Sequence, residues 1–366
     1  MGFKCGIVGL PNVGKSTLFN ALTQTAAATA ANFAFTTIEP NIGKVPVPDE
    51  RLSEIARIAG SKQILPTHLT FVDIAGLVRG ASKGEGLGNQ FLGHIREVDA
   101  ILHIQRCFDD IGISHVEGRT DPIADAEIIE TELMLADLES LEKRAANLTK
   151  KARGADANAK KMLALIDPVL ELLQEGKPAR LLKVAPDDER AFLDLNLLSA
   201  KPVLYVCNVE EGSAATGNAY SDRVVEKANA EGAGCVVISA AIEAEISQLE
   251  DEEERMAFLT ELSLTETGLG QVIRAGYDLL GLITYFTAGP KEARAWTVPR
   301  GARAPQAAGV IHSDFEHGFI RAETIAYDDF IACNGELGAR EAGKARLEGK
   351  DYLVVDGDVL HFRFAT

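Results

Sequence analysis

The first third of the chain and the stretch after residue 200 alternate short apolar runs with helical patterns. Strands are predicted at residues 5–9, 69–73, 100–105, 202–208 and 235–239, and helices at 17–22 and 221–230. Strands that alternate with helices in this way are typical of a parallel sheet with crossover helices. We therefore predict one α/β domain, built from residues 1–123 and 200–282.

The strand pattern disappears between residues 124 and 195. Apolar residues recur there at helical spacing, and a second helical run covers residues 162–173. The residues that define the first helix are Ile128, Leu133, Leu135, Leu138, Leu141 and Leu148. This pattern predicts an antiparallel helical hairpin, inserted into the sheet domain as residues 124–199.

A different pattern begins near residue 283. Short runs that carry aromatic residues predict strands at 283–287, 295–298, 317–324, 352–355 and 359–364. The tripeptide Asp356-Gly357-Asp358 predicts a tight turn between the last two strands. We interpret residues 283–366 as a separate, small, mixed α/β domain.

Composition narrows the class of protein. The chain has 366 residues, of which 46% are hydrophobic, and no apolar run approaches the ~20 residues of a membrane helix. The N-terminus runs directly into the first predicted strand, so no signal peptide is expected. The five cysteines lack the spacing of a metal site and are interpreted as free thiols, mostly buried, which favours a cytoplasmic protein. The net charge of −17 argues against general coating of nucleic acid.

The segment 9–16, GLPNVGKS, matches the phosphate-loop pattern G-x-x-x-x-G-K-[ST] at every fixed position. It follows a predicted strand and opens a predicted helix, which is the context that the motif requires. The glycines let the backbone wrap a phosphate, and the helix N-terminus adds partial positive charge. Lys15 can reach the outer phosphates, and the Ser16 hydroxyl can hold Mg2+. The sequence therefore predicts a site for a nucleoside triphosphate.

Another phosphate-site element follows the predicted strand at 69–73. Asp73 ends this strand and begins the pattern D-x-x-G, so its carboxylate can hold the Mg2+ shell through water. The N–H of Gly76 can approach a γ-phosphate closely, because glycine has no side chain. Upstream, either Thr36 or Thr37 can complete the Mg2+ sphere with its hydroxyl and sense the γ-phosphate.

The motif expected to read the base departs from that of guanine-binding proteins. Those proteins place N-K-x-D where this chain has Asn208-Val209-Glu210-Glu211. In those proteins the carboxylate of the Asp accepts hydrogen bonds from two donors of guanine. Glu211 stands at that position here, and its side chain is one methylene longer, which would misplace the carboxylate. Asn208 can pair with the amine and N7 of adenine, and the carbonyl of Val209 can accept from the same amine. The sequence favours ATP over GTP.

The group that assists hydrolysis is also unusual. Many GTPases place a water-orienting glutamine after D-x-x-G, but this chain has Leu77, which cannot hydrogen-bond to water. His115, in a polar segment, can orient water near neutral pH, although an ordinary loop histidine is the other interpretation. A monovalent cation such as K+ near Asn12 and slow hydrolysis are further alternatives.

Together these motifs resemble the YchF or Obg-like ATPase family, within the translation-factor class of P-loop proteins, over essentially the whole length. The segments that carry the resemblance are 9–17, 32–41, 73–77, 84–89 and 208–211. Near the C-terminus, residues 285–289 and 314–322 look like the family's TGS domain. The chain departs from the family pattern at Thr36, which replaces the usual cysteine.

The resemblance implies an α/β P-loop core with a parallel-rich sheet, an inserted coiled-coil arm and a ubiquitin-like (β-grasp) TGS domain. It also implies ATP hydrolysis with Mg2+, ribosome association, and a regulatory role in translation and stress. Carried over by position, Asn12, Val13, Gly14, Lys15, Ser16 and Thr17 contact phosphates, Ser16 and Thr37 bind Mg2+, His115 assists hydrolysis, and Asn208 and Val209 contact adenine.

The helical insertion carries a basic cluster in which only Asp156 opposes the positive charge. The cluster consists of Lys143, Arg144, Lys150, Lys151, Arg153, Lys160 and Lys161, with Gly154 in the middle as a hairpin tip. Such an arm suits contact with ribosomal RNA, although a solvated helix face is the alternative. We expect a cytoplasmic monomer whose arm and TGS domain dock on the ribosome, without membrane contact. A GTPase and a nucleotide-bound docking module with negligible turnover are the competing hypotheses.

Overall fold

A computed structural model describes residues 3–27, 41–74, 87–110, 112–113, 115, 117–154, 156–249 and 251–365. Contacts divide the chain into two units, which we describe separately. The large unit contains residues 3–44 and 70–275, and the small unit contains residues 45–69 and 276–365.

The described residues form twelve strands and fourteen α-helices. The strands are β1 (Lys4–Val8), β2 (Asn41–Pro46), β3 (Gln63–Leu65), β4 (His68–Asp73), β5 (Ala100–Arg106), β6 (Val203–Asn208), β7 (Gly234–Ile238), β8 (Leu282–Ala288), β9 (Glu292–Pro299), β10 (Phe319–Ile325), β11 (Arg346–Glu348) and β12 (Val359–Phe364). The helices are α1 (Lys15–Ala27), α2 (Glu50–Ala59), α3 (Leu87–Arg96), α4 (Pro122–Ala152), α5 (Ala157–Gln174), α6 (Glu189–Leu193), α7 (Ala219–Glu231), α8 (Ala240–Ile246), α9 (Glu252–Glu261), α10 (Gly268–Leu279), α11 (Ala304–Ile311), α12 (Ser313–His317), α13 (Tyr327–Ala332) and α14 (Glu336–Glu341). None of these described helices is both long and apolar enough to cross a membrane.

The predicted parallel sheet is confirmed in the large unit. Its strand order is β2-β4-β1-β5-β6-β7, and neighbours from β4 to β7 pair in parallel. All seven residues of β5 and all six of β6 are buried, because helices cover both faces of such a sheet. This arrangement brings the C-terminal ends of β1, β5 and β6 to one edge.

The predicted helical hairpin is present as α4 and α5. Asp121 caps α4, since its carboxylate accepts from the backbone N–H of Ala124 at 3.4 Å, and Pro122 follows at the first helical turn. A turn at residues 153 and 154 follows α4, so Gly154 lies between the two helices as expected. The apolar residues of the two helices form a shared core with the segment after them, which includes Met134, Leu141, Ile166, Val169, Leu173 and Leu195.

The small unit holds a mixed sheet with the order β11-β10-β12-β8-β9-β3. The predicted strand at 352–355 is wrong, since only Leu353 forms an isolated bridge, to Arg303. The carboxylate of Asp358 explains the difference, because it accepts from the N–H of Val355 at 2.9 Å and from the hydroxyl of Tyr352 at 2.8 Å. These bonds fold the segment into the predicted tight turn at 356–357 instead of extending it along β12.

Residues 45–69 pack with the small unit, whereas the sequence had assigned them to the nucleotide domain. Strand β3 extends the mixed sheet by pairing in parallel with β9, and α2 covers one face of that sheet. From α2, the side chains of Leu52 and Ile55 enter a core with Phe286 and Phe330. No sequence pattern indicated that residues 45–69 belong to the small unit, because β3 has only three residues and its partner strand β9 lies more than 200 residues away in sequence.

We expect Ile55→Ala to destabilise the small unit selectively. Ile55 is fully buried, so truncation leaves a cavity that costs about 2–4 kcal/mol of unfolding free energy. Trp296 is the sole tryptophan of the chain and lies in β9, so its fluorescence in a urea titration reports on this unit. The matched variant Ile242→Ala, in a separate core of the large unit, should leave the Trp296 transition unchanged. A Trp296 midpoint that Ile55→Ala does not lower would contradict the packing of α2.

Candidate nucleotide-binding site

The phosphate loop lies between β1 and α1 and has a strained backbone. Asn12 has φ of +64° and Gly14 has φ of +100°, a region that side-chain-bearing residues rarely adopt. A Cβ on Gly14 would also lie 2.3 Å from Nδ2 of Asn208. Lys15 begins α1, so the partial positive charge of the helix N-terminus faces the loop. The predicted strand, loop and helix are therefore confirmed together.

Lys15 is held under the loop. Its side chain is buried, and Nζ donates to the carbonyl of Leu10 at 2.7 Å. Burial lowers the pKa of Lys15 to about 8, while the nearby carboxylate of Asp73 opposes that change. The ammonium group is thus poised at the loop with little water around it.

Asp73 ends β4 beside Ile7 of β1, where the sequence predicted a carboxylate near the phosphates. Burial raises the pKa of Asp73, and both Lys15 and a hydrogen bond from Asn41 oppose this shift. Ser16 is exposed on the first turn of α1. The other predicted groups, Thr36, Thr37, Gly76 and Leu77, lie outside the described residues, as does the segment 75–86.

A cavity of about 680 Å³ adjoins the loop, a volume within the range of small-molecule sites. Its lining brings the phosphate loop together with the motif after β6, as the sequence predicted. The lining residues are Asn12, Gly14, Thr17, Phe108, Asp109, Asp110, Ile113, Asn208, Val209, Glu210, Glu211, Gly212, Ser239, Ala240 and Ala241. Glu210 and Glu211 are exposed, so the cavity opens toward an acidic rim.

Asn208 ties three elements of the site to one another. Its Nδ2 donates to the carbonyl of Val13 at 3.0 Å, and its Oδ1 accepts from the N–H of Ala240 at 2.9 Å. The side chain is buried, so both bonds are costly to break. An amide side chain has two donors and two lone pairs, and one of each remains beyond these bonds. The sequence pointed to a contact with the base and missed this role in holding the loop.

His115 has hydrogen-bond partners on both ring nitrogens. Its Nε2 lies 2.7 Å from Oδ2 of Asp125 in α4, and its Nδ1 accepts from the N–H of Glu117 at 3.1 Å. The side chain is only 5% exposed, and His115 does not line the cavity. The structure therefore brings together the loop, Lys15, Asp73, Asn208 and Val209, but it does not bring His115 to them. A role of His115 in orienting water stays a prediction.

Sequence reasoning missed the loop after β5, where Phe108, Asp109, Asp110 and Ile113 line the cavity. These residues carry no motif. The signal that could have found them is topological, because β5 lies between β1 and β6 and its C-terminal end must meet the same edge.

Two family models match the chain. One, MMR_HSR1, described as "50S ribosome-binding GTPase", matches residues 4–130. The other, YchF-GTPase_C, described as "Protein of unknown function (DUF933)", matches residues 282–365. The first model covers the phosphate loop, and the second covers most of the small unit.

Relatives with assigned names extend this likeness to the full length of the chain. The chain is 58% identical over 364 residues to the ribosome-binding ATPase YchF of Haemophilus ducreyi, covering 100% of this chain and 99% of that protein. It is 53% identical over 366 residues to the protein of the same name from Bacillus subtilis, covering 100% of both. The solved structure of the YchF GTPase from Schizosaccharomyces pombe superposes with a TM-score of 0.87 at 40% identity, covering 99% of this chain and 98% of that one. The phosphate loop, the altered base motif and these matches agree that the chain belongs to the YchF family.

Proposed function

We propose that this protein binds ATP with Mg2+, hydrolyses it slowly and uses the nucleotide state to regulate association with the ribosome. The observation that carries the proposal is the cavity that joins the phosphate loop to Asn208 and Val209, with Glu210 and Glu211 at the rim. The names of the relatives do not agree on which nucleotide is hydrolysed, since the bacterial proteins are called ATPases and the yeast protein is called a GTPase. The chemistry of the base motif favours adenine.

The phosphate end of the cavity fits a triphosphate with Mg2+. Backbone N–H groups of residues 12–17 and the ammonium of Lys15 would bind the phosphate oxygens. The oxygen donors that Mg2+ prefers are available from Ser16 and Asp73 and, by the motif, from Thr37. Mg2+ bound there would neutralise charge that develops on the phosphate oxygens. The N–H of Gly76 would complete the contacts to the γ-phosphate, as the D-x-x-G motif predicts.

Base selection would depend on Asn208 and Val209. Because one N–H of Asn208 already bonds to the loop, only one N–H and one lone pair remain for a base. The carbonyl of Val209 is an acceptor, which suits the exocyclic amine of adenine and does not suit the carbonyl of guanine. The carboxylate of Glu211 could accept from the two donors of guanine only if its longer side chain folded back over the cavity.

Slow turnover is expected from the residues that the sequence offers for hydrolysis. Leu77 offers no group to orient water. His115 would have to release Asp125 to free Nε2, or the N–H of Glu117 to free Nδ1. A K+ ion near Asn12 is the alternative source of stabilising charge. Comparing turnover in K+ and Na+ for the wild type and His115→Ala separates these two routes.

Ribosome association would use the tip of the helical arm. In the described part of the arm, Lys150, Lys151, Arg153 and Lys160 are exposed and form no ion pair, although the chain as a whole is strongly acidic. Such local positive charge suits the phosphates of ribosomal RNA. We further propose that the small unit serves as a TGS docking module and that the protein acts as a cytoplasmic monomer.

The test compares hydrolysis and binding of ATP and GTP, each with Mg2+, in the presence and absence of ribosomes. We expect ATP to bind at least about tenfold more tightly than GTP, which corresponds to one lost or repelled hydrogen bond. Equal or tighter binding of GTP would favour the GTPase alternative, and binding without turnover would favour the docking module. Cosedimentation with ribosomes should weaken in Lys150→Glu/Lys151→Glu but not in the control Lys44→Glu, whose exposed lysine lies in β2, outside both the arm and the small unit. Unchanged binding by the double variant would exclude the arm tip as the contact.

We expect ATP affinity to be constant up to about pH 8 and then to fall by up to tenfold for each pH unit. The reason is that burial lowers the pKa of Lys15 to about 8, so above this pH the free protein must take up a proton before it can bind phosphate. Calorimetric titrations at about pH 9.5 in two buffers of different ionisation enthalpy should reveal this proton uptake. Lys15→Arg keeps its charge and should show a flat profile. A flat profile in the wild type would contradict the lowered pKa.

A further inference from the structure

Asn218, the residue before α7, uses every hydrogen-bonding position of its side chain. Its Oδ1 accepts from the backbone N–H groups of Tyr220 and Ser221, both at 3.0 Å, and so caps the helix. Its Nδ2 donates to the carbonyl of Cys107 at 2.7 Å and to the carboxylate of Glu210 at 3.0 Å. A side-chain amide has two donors and two lone pairs, and all four are occupied here. A helix cap needs only the oxygen, so the two donors call for a separate explanation.

The two donors of this amide reach two different segments of the nucleotide cavity. Glu210 lines the cavity after β6, and Cys107 begins the loop after β5 that lines it from the neighbouring strand. The N–H of Cys107 in turn donates to the carbonyl of Asn208 at 2.8 Å. Asn218 does not itself line the cavity. Its hydrogen bonds therefore tie both segments to the start of α7 from outside the site.

The first turn of α7 supports the loop after β5 at a second point. The hydroxyl of Tyr220 donates to the carboxylate of Asp109 at 2.9 Å, and Asp109 lines the cavity. The start of α7 is thus the common support of the two segments that meet at the nucleoside end of the cavity.

Glu210 is held at the rim by donors on two sides. The hydroxyl of Ser213 donates to one carboxylate oxygen, and Nδ2 of Asn218 lies 3.0 Å from the other. Burial would raise the pKa of Glu210, but the hydrogen bonds from Ser213 and Asn218 outweigh burial and lower it. An ionised carboxylate can only accept hydrogen bonds, so its position depends on these donors. Without Asn218, the side chain of Glu210 would lose one of the two groups that fix it.

The need for asparagine at position 218 follows from the donors and not from the cap. Serine and aspartate cap helices about as well as asparagine does. Serine has one donor, while aspartate has none and would place a second negative charge beside Glu210. Among the residues that cap helices well, asparagine alone combines the accepting oxygen with two donors.

We propose that Asn218 is a positioning residue for the nucleoside end of the site, which holds Glu210 and the loop after β5 in the arrangement that receives the base. The proposal rests on the nucleotide site proposed above and extends it to a residue outside the cavity that no motif marks. None of the four hydrogen bonds of the Asn218 side chain reaches the phosphate loop. Its loss should therefore weaken contacts to the nucleoside and spare contacts to the phosphates.

The test measures the affinities of ATP and of inorganic tripolyphosphate, both with Mg2+, and takes their ratio. Tripolyphosphate occupies only the phosphate end of the site, so a change in the ratio reports on the nucleoside end. We expect Asn218→Ser and Asn218→Asp, which both keep a cap on α7, to weaken ATP binding about 3- to 30-fold. Tripolyphosphate binding should stay unchanged. In the same variants the KM for ATP should rise with little change in kcat.

A double variant tests the contact between Asn218 and Glu210 directly. Asn218→Asp/Glu210→Gln exchanges the donor and the acceptor, so the new amide can donate to the new carboxylate and no like charges face each other. It should recover part of the ATP affinity lost in Asn218→Asp, and only part, because the carbonyl of Cys107 still lacks its donor. Asp156→Ala is the control, since it removes a cap with the same two backbone bonds from α5 in the arm. This control should leave the ratio unchanged.

The outcomes separate this inference from the proposed function. An unchanged ratio in folded Asn218→Ser and Asn218→Asp would overturn the positioning role and leave Asn218 as a helix cap only. A double variant that binds ATP no better than Asn218→Asp would overturn the part assigned to Glu210. If the wild type binds GTP more tightly than ATP, the proposed adenine preference fails, yet the ratio measured with GTP still tests Asn218.

Discussion

Gly14→Ala is expected to reduce ATP affinity by at least about 30-fold. A side chain at φ of +100° costs about 1–3 kcal/mol, and the new Cβ would lie 2.3 Å from Nδ2 of Asn208. Displacing this buried amide would break its bonds to Val13 and Ala240, at about 1–3 kcal/mol for each group left unsatisfied. The loop can relieve the clash only by leaving the shape that cradles phosphate. A loss of about 2 kcal/mol or more should therefore appear in binding, which is about 30-fold in affinity.

Gly232→Ala separates the effect of the clash from that of backbone strain. Gly232 ends α7 with φ of +67°, and a Cβ there would meet nothing within 4 Å. This control should lower the unfolding free energy by about 1 kcal/mol and leave ATP affinity unchanged. Calorimetric titration of both purified variants with ATP and Mg2+ makes the comparison. Wild-type affinity in Gly14→Ala would mean that the loop does not need the observed backbone to bind nucleotide.

The phosphate end of this site could be predicted from sequence because all of its parts lie close together in the chain. A strand, a glycine-bearing loop and a helix in order produce the loop by local geometry, and Asp73 follows from the end of a neighbouring parallel strand. The hydrogen bond from Asn208 to Val13 joins residues that are 195 apart in sequence. No local sequence pattern shows that the side chain of Asn208 would hold the phosphate loop. The same limit applies to the loop after β5, because the pairing of Arg106 with Asn208 across β5 and β6 brings this loop to the cavity.

Helical periodicity likewise predicted the arm, but it did not predict the buried polar contacts that join α4 to the rest of the large unit. The apolar positions of α4 repeat every three to four residues, which is enough to identify a long amphipathic helix. Three charged residues of the first helix, Glu130, Glu132 and Asp137, are nevertheless buried. A buried acid cannot be recognised from sequence because its partners come from distant segments. Asp137, for example, accepts from the N–H groups of Leu198 and Ser199 at 2.9 and 2.8 Å.

Four charged side chains and one tyrosine join the arm to the sheet of the large unit. Arg180, which follows α5, bonds to Glu130 of α4 and lies 2.7 Å from Glu231 of α7. The ammonium of Lys227 lies 3.2 Å from the carboxylate of the same Glu130. The hydroxyl of Tyr205 in β6 also donates to the carboxylate of Glu130, at 2.8 Å. Burial opposes ionisation of Glu130, but Arg180 and Lys227 outweigh it and lower its pKa. The positive charges of Arg180 and Lys227 therefore keep the buried carboxylate of Glu130 ionised.

We expect Arg180→Met to lower the unfolding free energy of the large unit by about 3–5 kcal/mol, because Glu130 and Glu231 would keep Lys227 as their only positively charged partner among the described residues. Urea unfolding followed by far-UV circular dichroism, with hydrogen exchange of α4, measures the loss. Since the pKa of Glu130 is lowered in the folded state, its stabilising contribution is present above its ordinary pKa and disappears on acidification through the folded value. The difference between variant and wild type should thus shrink as the pH falls below about 4.

Adding Glu130→Gln to Arg180→Met should recover part of the stability at neutral pH, because it removes one of the unpaired charges. The exposed pair of Lys143 and Glu139 provides the opposite control, since Lys143→Met should leave the unfolding midpoint unchanged. Failure of the double variant to recover any stability would mean that Arg180 acts through packing of its side chain and not through its charge. Recovery would identify the network as an electrostatic joint, which holds α4, the segment after α5 and α7 in one arrangement at the base of the arm.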